Sequence, residues 1–348
     1  MAVLLLPACG GGDAGGGPLT VTDALGRTID LPGSPERITV VERAALLVVD
    51  ALYLFPEGRE RLVALEERGQ DITGFLELVD PDWADKVVLE GNAGAEQIAP
   101  TSPDLVIAKS AMAEELGPPL EAVGIPIFYV DIETPETYER DLAALGQLLG
   151  NAGRAEEVLG FYQDRLDRVA GATAGLADGD RPSVLLIEYS VEEGTVAFSV
   201  PPAGWLQTTL VELAGGEAVW IEAAEGGGWT VVGLEQIAAW DPEQIYVVDY
   251  DGNSEGVVEE LAADANWQAL SAVQAGRIYG FPGDFISWDQ PDTRWVLGLE
   301  WLFTKVQPDL AAGIDVVSEV QAFYEELYSL DAATIEEEII PRLFGSLP

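Results

Sequence analysis

Four cationic side chains, Arg43, Arg68, Lys109 and Arg294, stand at places where a short apolar run gives way to a helical pattern. The chain has three lysines and fourteen arginines against 61 acidic residues, so scarce cations gathered at such junctions point to an anionic ligand. Arg43 also begins a helical pattern, where free backbone N–H groups favour an anion. Glu90 and Ser110 occupy further junctions of the same kind. A second set is aromatic and polar: Trp229, Tyr250 and the run Ser287, Trp288, Asp289 and Gln290, with Trp205 divided between this role and core packing. Trp and Tyr offer flat apolar surface with a polar handle. Cations on one side and aromatics on the other suit noncovalent capture of a bulky, partly apolar anion such as a chelate.

Composition removes the main alternatives. The chain has no histidine and one cysteine, which excludes imidazole-based nucleophilic catalysis and the histidine or thiolate zinc sites. A net charge of -44 argues against nucleic acid and anionic lipid surfaces as partners. With 48% hydrophobic residues and 9 tryptophans, the 348 residues can build packed cores, and their number suggests two domains.

The elements that must position these residues alternate β and α. After a hairpin at Leu19–Leu31, strand-like runs Arg37–Val41, Arg61–Leu65, Lys86–Leu89, Leu105–Ala108 and Ile127–Val130 interleave with helical patterns at Ala44–Phe55, Ala113–Val123 and Pro135–Leu149. Short apolar strands between helices predict βαβ units and a mainly parallel, two-sided sheet. A second series comprises Val184–Tyr189, Thr195–Val200, Gln244–Val248 and Arg277–Phe281, with helices near Trp205–Ala214 and Leu234–Ala239. Between them, Arg154–Leu176 has helical spacing and would span about 34 Å. Helical patterns at Arg294–Lys305, Asp315–Tyr328 and Ala333–Leu343 close the chain.

An internal echo joins the two series. Glu96-Gln-Ile-Ala99 and Glu235-Gln-Ile-Ala238 each precede a proline seven residues after the glutamate, and then a strand. Downstream, Leu120-x-Ala-Val123 with Gly124 is matched by Leu270-x-Ala-Val273 with Gly276. The expected fold is α/β, with two Rossmann-like lobes joined by one long helix. A glycine-rich tether (1–18) leads to an N-terminal lobe (19–153), the interlobe helix (154–177) and a C-terminal lobe with the closing helices (178–348). Open α/β sheets bind ligand beyond the carboxyl ends of their strands, so the loops named above line a shared cleft.

Two resemblances extend this reading. The apolar start ending in Ala8-Cys9, followed by a glycine-rich run, resembles the lipobox of a bacterial lipoprotein signal, which implies a lipid on Cys9. From Val21 onward the chain resembles the substrate-binding proteins of ABC importers for iron–siderophore, haem and cobalamin, the class III periplasmic binding proteins with one rigid interlobe helix. The likeness rests on Thr22-Asp-Ala-Leu-Gly-Arg-Thr28, Pro35-Glu-Arg-Ile-Thr-Val-Val41, Glu96-Gln-Ile-Ala99, Ser102-Pro-Asp-Leu-Val-Ile-Ala108 and Gly124-Ile-Pro126. In the second series it rests on Leu213-Ala-Gly-Gly216, Leu234-Glu-Gln-Ile237, Trp267-Gln-Ala-Leu-Ser-Ala-Val273 and Gly276-Arg-Ile-Tyr279. It implies ligand contacts at Glu90, Trp229, Lys109 and Ser287–Gln290, and permease-docking carboxylates at Glu96 and Glu235. Glu90 and Lys109 stand where cobalamin-binding relatives carry aromatics, which favours a polar or charged chelate.

The expected protein is an extracytoplasmic, lipid-anchored monomer in the periplasm or on the outer face of the cell. It captures a metal chelate, foremost a ferric siderophore, and delivers it to an ABC permease dimer, with no cofactor and no chemistry. Molybdate or tungstate, and cobalamin or haem, are the alternative ligands of the same fold. A carboxylate-pair hydrolase using Asp284, Asp289 and Glu90 is a distant enzymatic alternative, and a surface interaction module without ligand is another.

Overall fold

The computed structural model describes residues 17–41, 44–66, 73–192, 194–224 and 226–347; Cys9, Arg43 and Arg68 lie outside the described residues. The hairpin pairs β1 (Leu19–Thr22) with β2 (Thr28–Leu31) in antiparallel register. Its turn is held by the Asp23 carboxylate, which accepts the Leu25 and Arg27 backbone N–H groups at 3.0 Å and pairs with the Arg27 guanidinium at 2.7 Å.

The first lobe follows as β3 (Ile38–Val40), α1 (Ala45–Tyr53), α2 (Pro56–Arg61), β4 (Leu62–Glu66), α3 (Thr73–Val79), β5 (Val87–Leu89), α4 (Ala95–Ile98), β6 (Leu105–Lys109), α5 (Ala113–Ala122), β7 (Ile127–Val130) and α6 (Pro135–Leu149). Its five strands are ordered β5-β4-β3-β6-β7 and all parallel. β6 is buried along its whole length, as its apolar run Leu105–Ala108 requires in a sheet covered on both faces. Helix α6 has the expected bounds because its ends are locally encoded. Thr134 caps it through a reciprocal pair with Thr137, Pro135 pre-sets its first turn, and Gly150 ends it at φ +77°.

Helix α7 (Ala152–Thr173) follows at once, capped by the Asn151 side chain. Its 22 residues span about 33 Å. Gly146 on α6 lets the two helices close up, since a Cβ there would lie 2.4 Å from Ala155 Cβ.

The second lobe comprises β8 (Ser183–Glu192), β9 (Thr195–Val200), α8 (Leu206–Leu213), β10 (Glu217–Ala218), β11 (Thr230–Val231), α9 (Leu234–Trp240), β12 (Gln244–Val248), α10 (Ser254–Ala263), α11 (Ser271–Gln274), β13 (Ile278–Gly280), α12 (Trp295–Val306) and α13 (Val316–Tyr328). The sheet runs β11-β9-β8-β12-β13, with β10 pairing β8. Here β8–β9 is antiparallel, because the short link after Glu192 allows a hairpin but no crossover, and β11 pairs antiparallel with β9 after a longer excursion. The two Rossmann-like sheets and the long helix between them form the class III architecture. The pattern at Ala333–Leu343 is not one α-helix: a single turn at Ala332–Thr334 passes into a π-helical turn at Ile335–Ile339 and a 3-10 turn at Ile340–Arg342. Pro341, which has no N–H, prevents a regular continuation.

The sequence echo is also an echo of backbone. Gly94 and Gly233 cap α4 and α9 in extended geometry, and Ile98 and Ile237 are fully buried beneath. Each unit then turns through a left-handed residue before its proline: Ser102 at φ +52° and Asp241 at φ +40°.

Candidate functional site

Strand order places the site. In the first sheet the chain moves outward from β3 through β4 to β5 and, on the other side, from β6 to β7, so the crevice opens beyond the carboxyl ends of β3 and β6. In the second sheet the equivalent point lies between β8 and β12. The two crevices belong to one cleft, because strand-end loops of both lobes touch. Phe75 at the start of α3 meets Phe285, in the β13–α12 connection, at 5.4 Å between ring centroids.

On the first lobe, Lys109 ends β6 and Ser110 follows it. Lys109 is 8% exposed and forms an ion pair with Glu133; Ser110 donates to Asp131. Both partners come from the β7–α6 loop, which is itself fixed. The Asp141 carboxylate accepts the backbone N–H groups of Asp131 and Ile132 at 2.6 and 2.9 Å, and Arg140 bridges Asp131 and Asp141 at 2.6 and 2.8 Å. This network holds the β-branched Ile132 at φ +50°, a strained conformation for such a side chain. Glu90 is exposed after β5, while Glu66 at the end of β4 is buried and accepts the Asn92 N–H at 2.5 Å.

The second lobe presents a row of half-buried aromatics. Trp205 meets Trp229 edge-on at 5.7 Å, and Trp229 meets Tyr250 at 6.3 Å. Asp289 organises the polar groups beneath. It is 0% exposed and accepts from Ser287 Oγ at 2.6 Å, Tyr250 Oη at 2.9 Å and Gln207 Nε2 at 3.1 Å. Burial raises its carboxyl from 3.8 to about 6, opposed by these three donors. Burial, with the Asp289 charge beside it, lifts the Tyr250 phenol far above its usual range. Asp289 therefore fixes the ring of Tyr250 rather than meeting ligand itself, and Gln290 is nearly buried next to it.

Trp288 and Arg294 lie elsewhere than expected. Both are 0% exposed. Trp288 packs in the core with its indole N–H on Asp284 at 3.3 Å, and Gly298 runs against its carbonyl. Arg294 is enclosed by Asp50 at 2.5 Å, Asp292 at 2.6 Å and Asp284 at 3.0 Å, and lies over the ring of Phe75 at 4.3 Å. Enclosed by these three carboxylates, the guanidinium serves the fold instead of facing the cleft. Asp50 comes from α1 of the first lobe and also accepts from Thr293 Oγ1 and Tyr328 Oη at 2.8 and 2.7 Å. Tyr162 of α7 donates to the Thr293 carbonyl at 2.5 Å. This cluster thus ties the two lobes and α7 together. Burial holds the Asp292 carboxyl well above the usual range, with Arg294 opposing it.

Beside Tyr250 the second lobe forms a pocket of about 280 Å³ whose walls include Asp249, Asp251, Asp284, Phe285 and Ser287. Its carboxylates make this part of the cleft acidic, against the expectation of a purely anion-seeking site. Among the described residues no group of three or more Cys, Asp or Glu side chains is arranged to hold a metal ion. Sequence reading missed Asp131 and Glu133, although the strand-end rule that found Lys109 reaches them when applied to β7. It also missed Asp50, for which no local signal exists. Glu96 and Glu235 are both exposed in the first turns of α4 and α9.

Residues 78–285, more than half of the chain, match the family described as "Periplasmic binding protein". The chain is 22% identical over 206 residues to the "Probable siderophore-binding lipoprotein YfiY" of Bacillus subtilis (strain 168), covering 57% of this chain and 60% of that protein. It is 24% identical over 219 residues to the "Vitamin B12-binding protein" of Yersinia pestis (strain Pestoides F), covering 59% and 75%. A solved periplasmic solute binding protein from Veillonella parvula DSM 2008 superposes with a TM-score of 0.71 at 21% identity, over 93% of this chain and 97% of that one. The sequence match, the paired sheets and the single connecting helix agree: this chain belongs to the periplasmic binding protein family.

Proposed function

We propose that the chain is an extracytoplasmic solute-binding lipoprotein that captures a metal chelate, a ferric siderophore, and delivers it to an ABC permease dimer. It acts as a monomer, held at the membrane by a lipid on Cys9, and performs no chemistry. Residues 19–153 and 178–348 form the two lobes, with 154–177 between them. Glu96 and Glu235, exposed at equivalent positions of the repeated unit, dock the lobes on the permease.

The observation that carries this reading is the aromatic row Trp205–Trp229–Tyr250 at the carboxyl ends of the second sheet. Its flat, half-buried surface suits a large chelate with apolar faces. A compact oxyanion fits less well: Lys109 is already paired with Glu133, and the adjoining pocket carries carboxylates. Those carboxylates favour a chelate whose periphery bears amino or hydroxyl groups. Similarity to a siderophore-binding lipoprotein supports the same choice. The aromatic row also accommodates a corrin ring, and with the likeness to a vitamin B12-binding protein it makes cobalamin the second reading.

Tryptophan fluorescence of the chain, titrated with ferric hydroxamate and ferric catecholate chelates, cyanocobalamin and molybdate, tests the proposal. Saturable quenching by a ferric chelate at micromolar concentration is expected. Saturation by cyanocobalamin alone transfers the assignment to the second reading. A response to molybdate alone, or to none of them, overturns both.

A further inference from the structure

Lys109 and Ser110 stand at the carboxyl end of β6, beside the point where the strand order of the first sheet reverses. An open α/β sheet receives its ligand there. Both donors are already taken by acids of the β7–α6 loop: Lys109 Nζ pairs with Glu133, and Ser110 Oγ donates to Asp131. The ion pair is asymmetric. The Lys109 side chain is 9% exposed and that of Glu133 is 49% exposed, so a ligand coming from solvent meets the carboxylate before the ammonium.

The backbone that carries these acids is fixed. Thr137 Oγ1 accepts the Glu133 N–H at 2.9 Å, and the Asp141 carboxylate accepts those of Asp131 and Ile132. Between the two acids Ile132 is held at φ +50°, and strain of this kind persists where surrounding contacts over-determine it, often at ligand sites. The carboxylates therefore stay within a side chain's length of the end of β6. An anion that takes Lys109 from Glu133 exchanges one ion pair for another and leaves the displaced carboxylate beside itself, so it gains little and is repelled. A neutral or cationic ligand requires no such exchange.

The rest of the described cleft has the same sign. Around the β7–α6 loop three carboxylates, of Asp131, Glu133 and Asp141, face two cations, Lys109 and Arg140. Across the cleft, Asp249 and Asp251 line the pocket beside Tyr250, and no lysine or arginine is among its described lining residues. Arg342, over the ring of Phe285 at 5.0 Å, is paired with Glu338 at 3.1 Å. Arg43 and Arg68, outside the described residues, each directly follow a glutamate in the sequence, Glu42 and Glu67.

Within the ferric-chelate reading of the cleft, on which this rests, we propose that Glu133 sets its charge selectivity: a carboxylate seated where an anion would bind restricts the cargo to chelates of neutral or positive net charge. Ferric trihydroxamates belong to that class, since three singly charged groups cancel the charge of the metal. Ferric tris-catecholates, which are triply negative, do not. Glu133 is thus a specificity determinant that acts by repelling the wrong ligand.

Ferrioxamine B gives a matched series on one chelate core: cationic as it stands, neutral when its amine is acetylated and anionic when it is succinylated. Tryptophan quenching by each, and by a ferric tris-catecholate, measures the selectivity. The unaltered chain is expected to bind the cationic and neutral forms at least about tenfold more tightly than the anionic form and the catecholate. Glu133→Gln keeps the shape of the side chain and removes its charge. It should tighten the anionic form about tenfold and leave the neutral form within about twofold, which also reports that the variant is folded. Glu133→Ala, at the same exposed position, should do likewise. Equal or tighter binding of the anionic chelates by the unaltered chain overturns the charge selection and leaves the chelate receptor standing. Selectivity that neither variant relaxes overturns the role of Glu133. No saturable binding of any of these chelates overturns the ferric-chelate reading, and the charge selection with it.

Discussion

Asp289→Asn isolates the electrostatic cost of the buried hub beneath Tyr250. The carboxyl rises from 3.8 to about 6 on folding, a difference worth about 3 kcal/mol. A group whose folded value is raised gives stability that is complete below its unfolded value and lost as pH rises through its folded value. Asp289 therefore stabilises the protein at about pH 4 and forfeits that contribution by about pH 7.5. Asparagine keeps the shape and does not titrate. Its oxygen can still accept from Tyr250 and Gln207, and its amide can donate to Ser287; whatever this exchange costs is constant with pH. Urea unfolding of both proteins across that range measures the difference in stability, which cancels the general effect of the -44 charge. Between about pH 4 and 7.5 the difference should move by about 2.4 kcal/mol in favour of the variant, the rest of the 3 lying below pH 4. A constant difference, or one that moves the other way, refutes the argument that burial dominates at Asp289.

Arg294→Met removes the cation between Asp50, Asp284 and Asp292 and should cost about 3–5 kcal/mol in urea unfolding at neutral pH. Part of that loss should return on acidification, as the orphaned carboxyls take up protons. Gly298→Ala places a Cβ 2.4 Å from the Trp288 carbonyl and should cost about 1–3 kcal/mol, read as a lowered thermal midpoint with altered near-ultraviolet dichroism. Trp229→Ala takes away the middle of the aromatic row and should weaken a bound ferric chelate about tenfold in calorimetry.

Local signals decided what could be read in advance. The bounds of α6 follow from Thr134-Pro135 at one end and Gly150 at the other, and β9 and β12 are bounded by their own apolar runs. Helix α2 escaped notice because Pro56–Arg61 is polar and buries only Gly58, so it has no apolar period to detect. In the site, the strand-end rule reached Lys109, Ser110, Trp229 and Tyr250. It failed for Trp288 and Arg294, since sequence does not distinguish the side chains of a loop that face a cleft from those that turn into the core. The deciding partner of Arg294 is Asp50, 244 residues away. Glu133, 24 residues from Lys109, is nearer, yet pairing across neighbouring strand ends is a property of sheet order rather than of spacing.

The Asp50–Arg294 contact has a mechanical consequence. Two bodies joined at one flexible point can pivot in any direction, and each further join away from that point removes some of that freedom. Helix α7 is the first join, and the buried pair from α1 and the β13–α12 loop is the second. Any parting at this point must pull a fully enclosed guanidinium away from its carboxylate, and the Phe75–Phe285 contact adds a further join, so opening of the lobes is resisted at more than the helix.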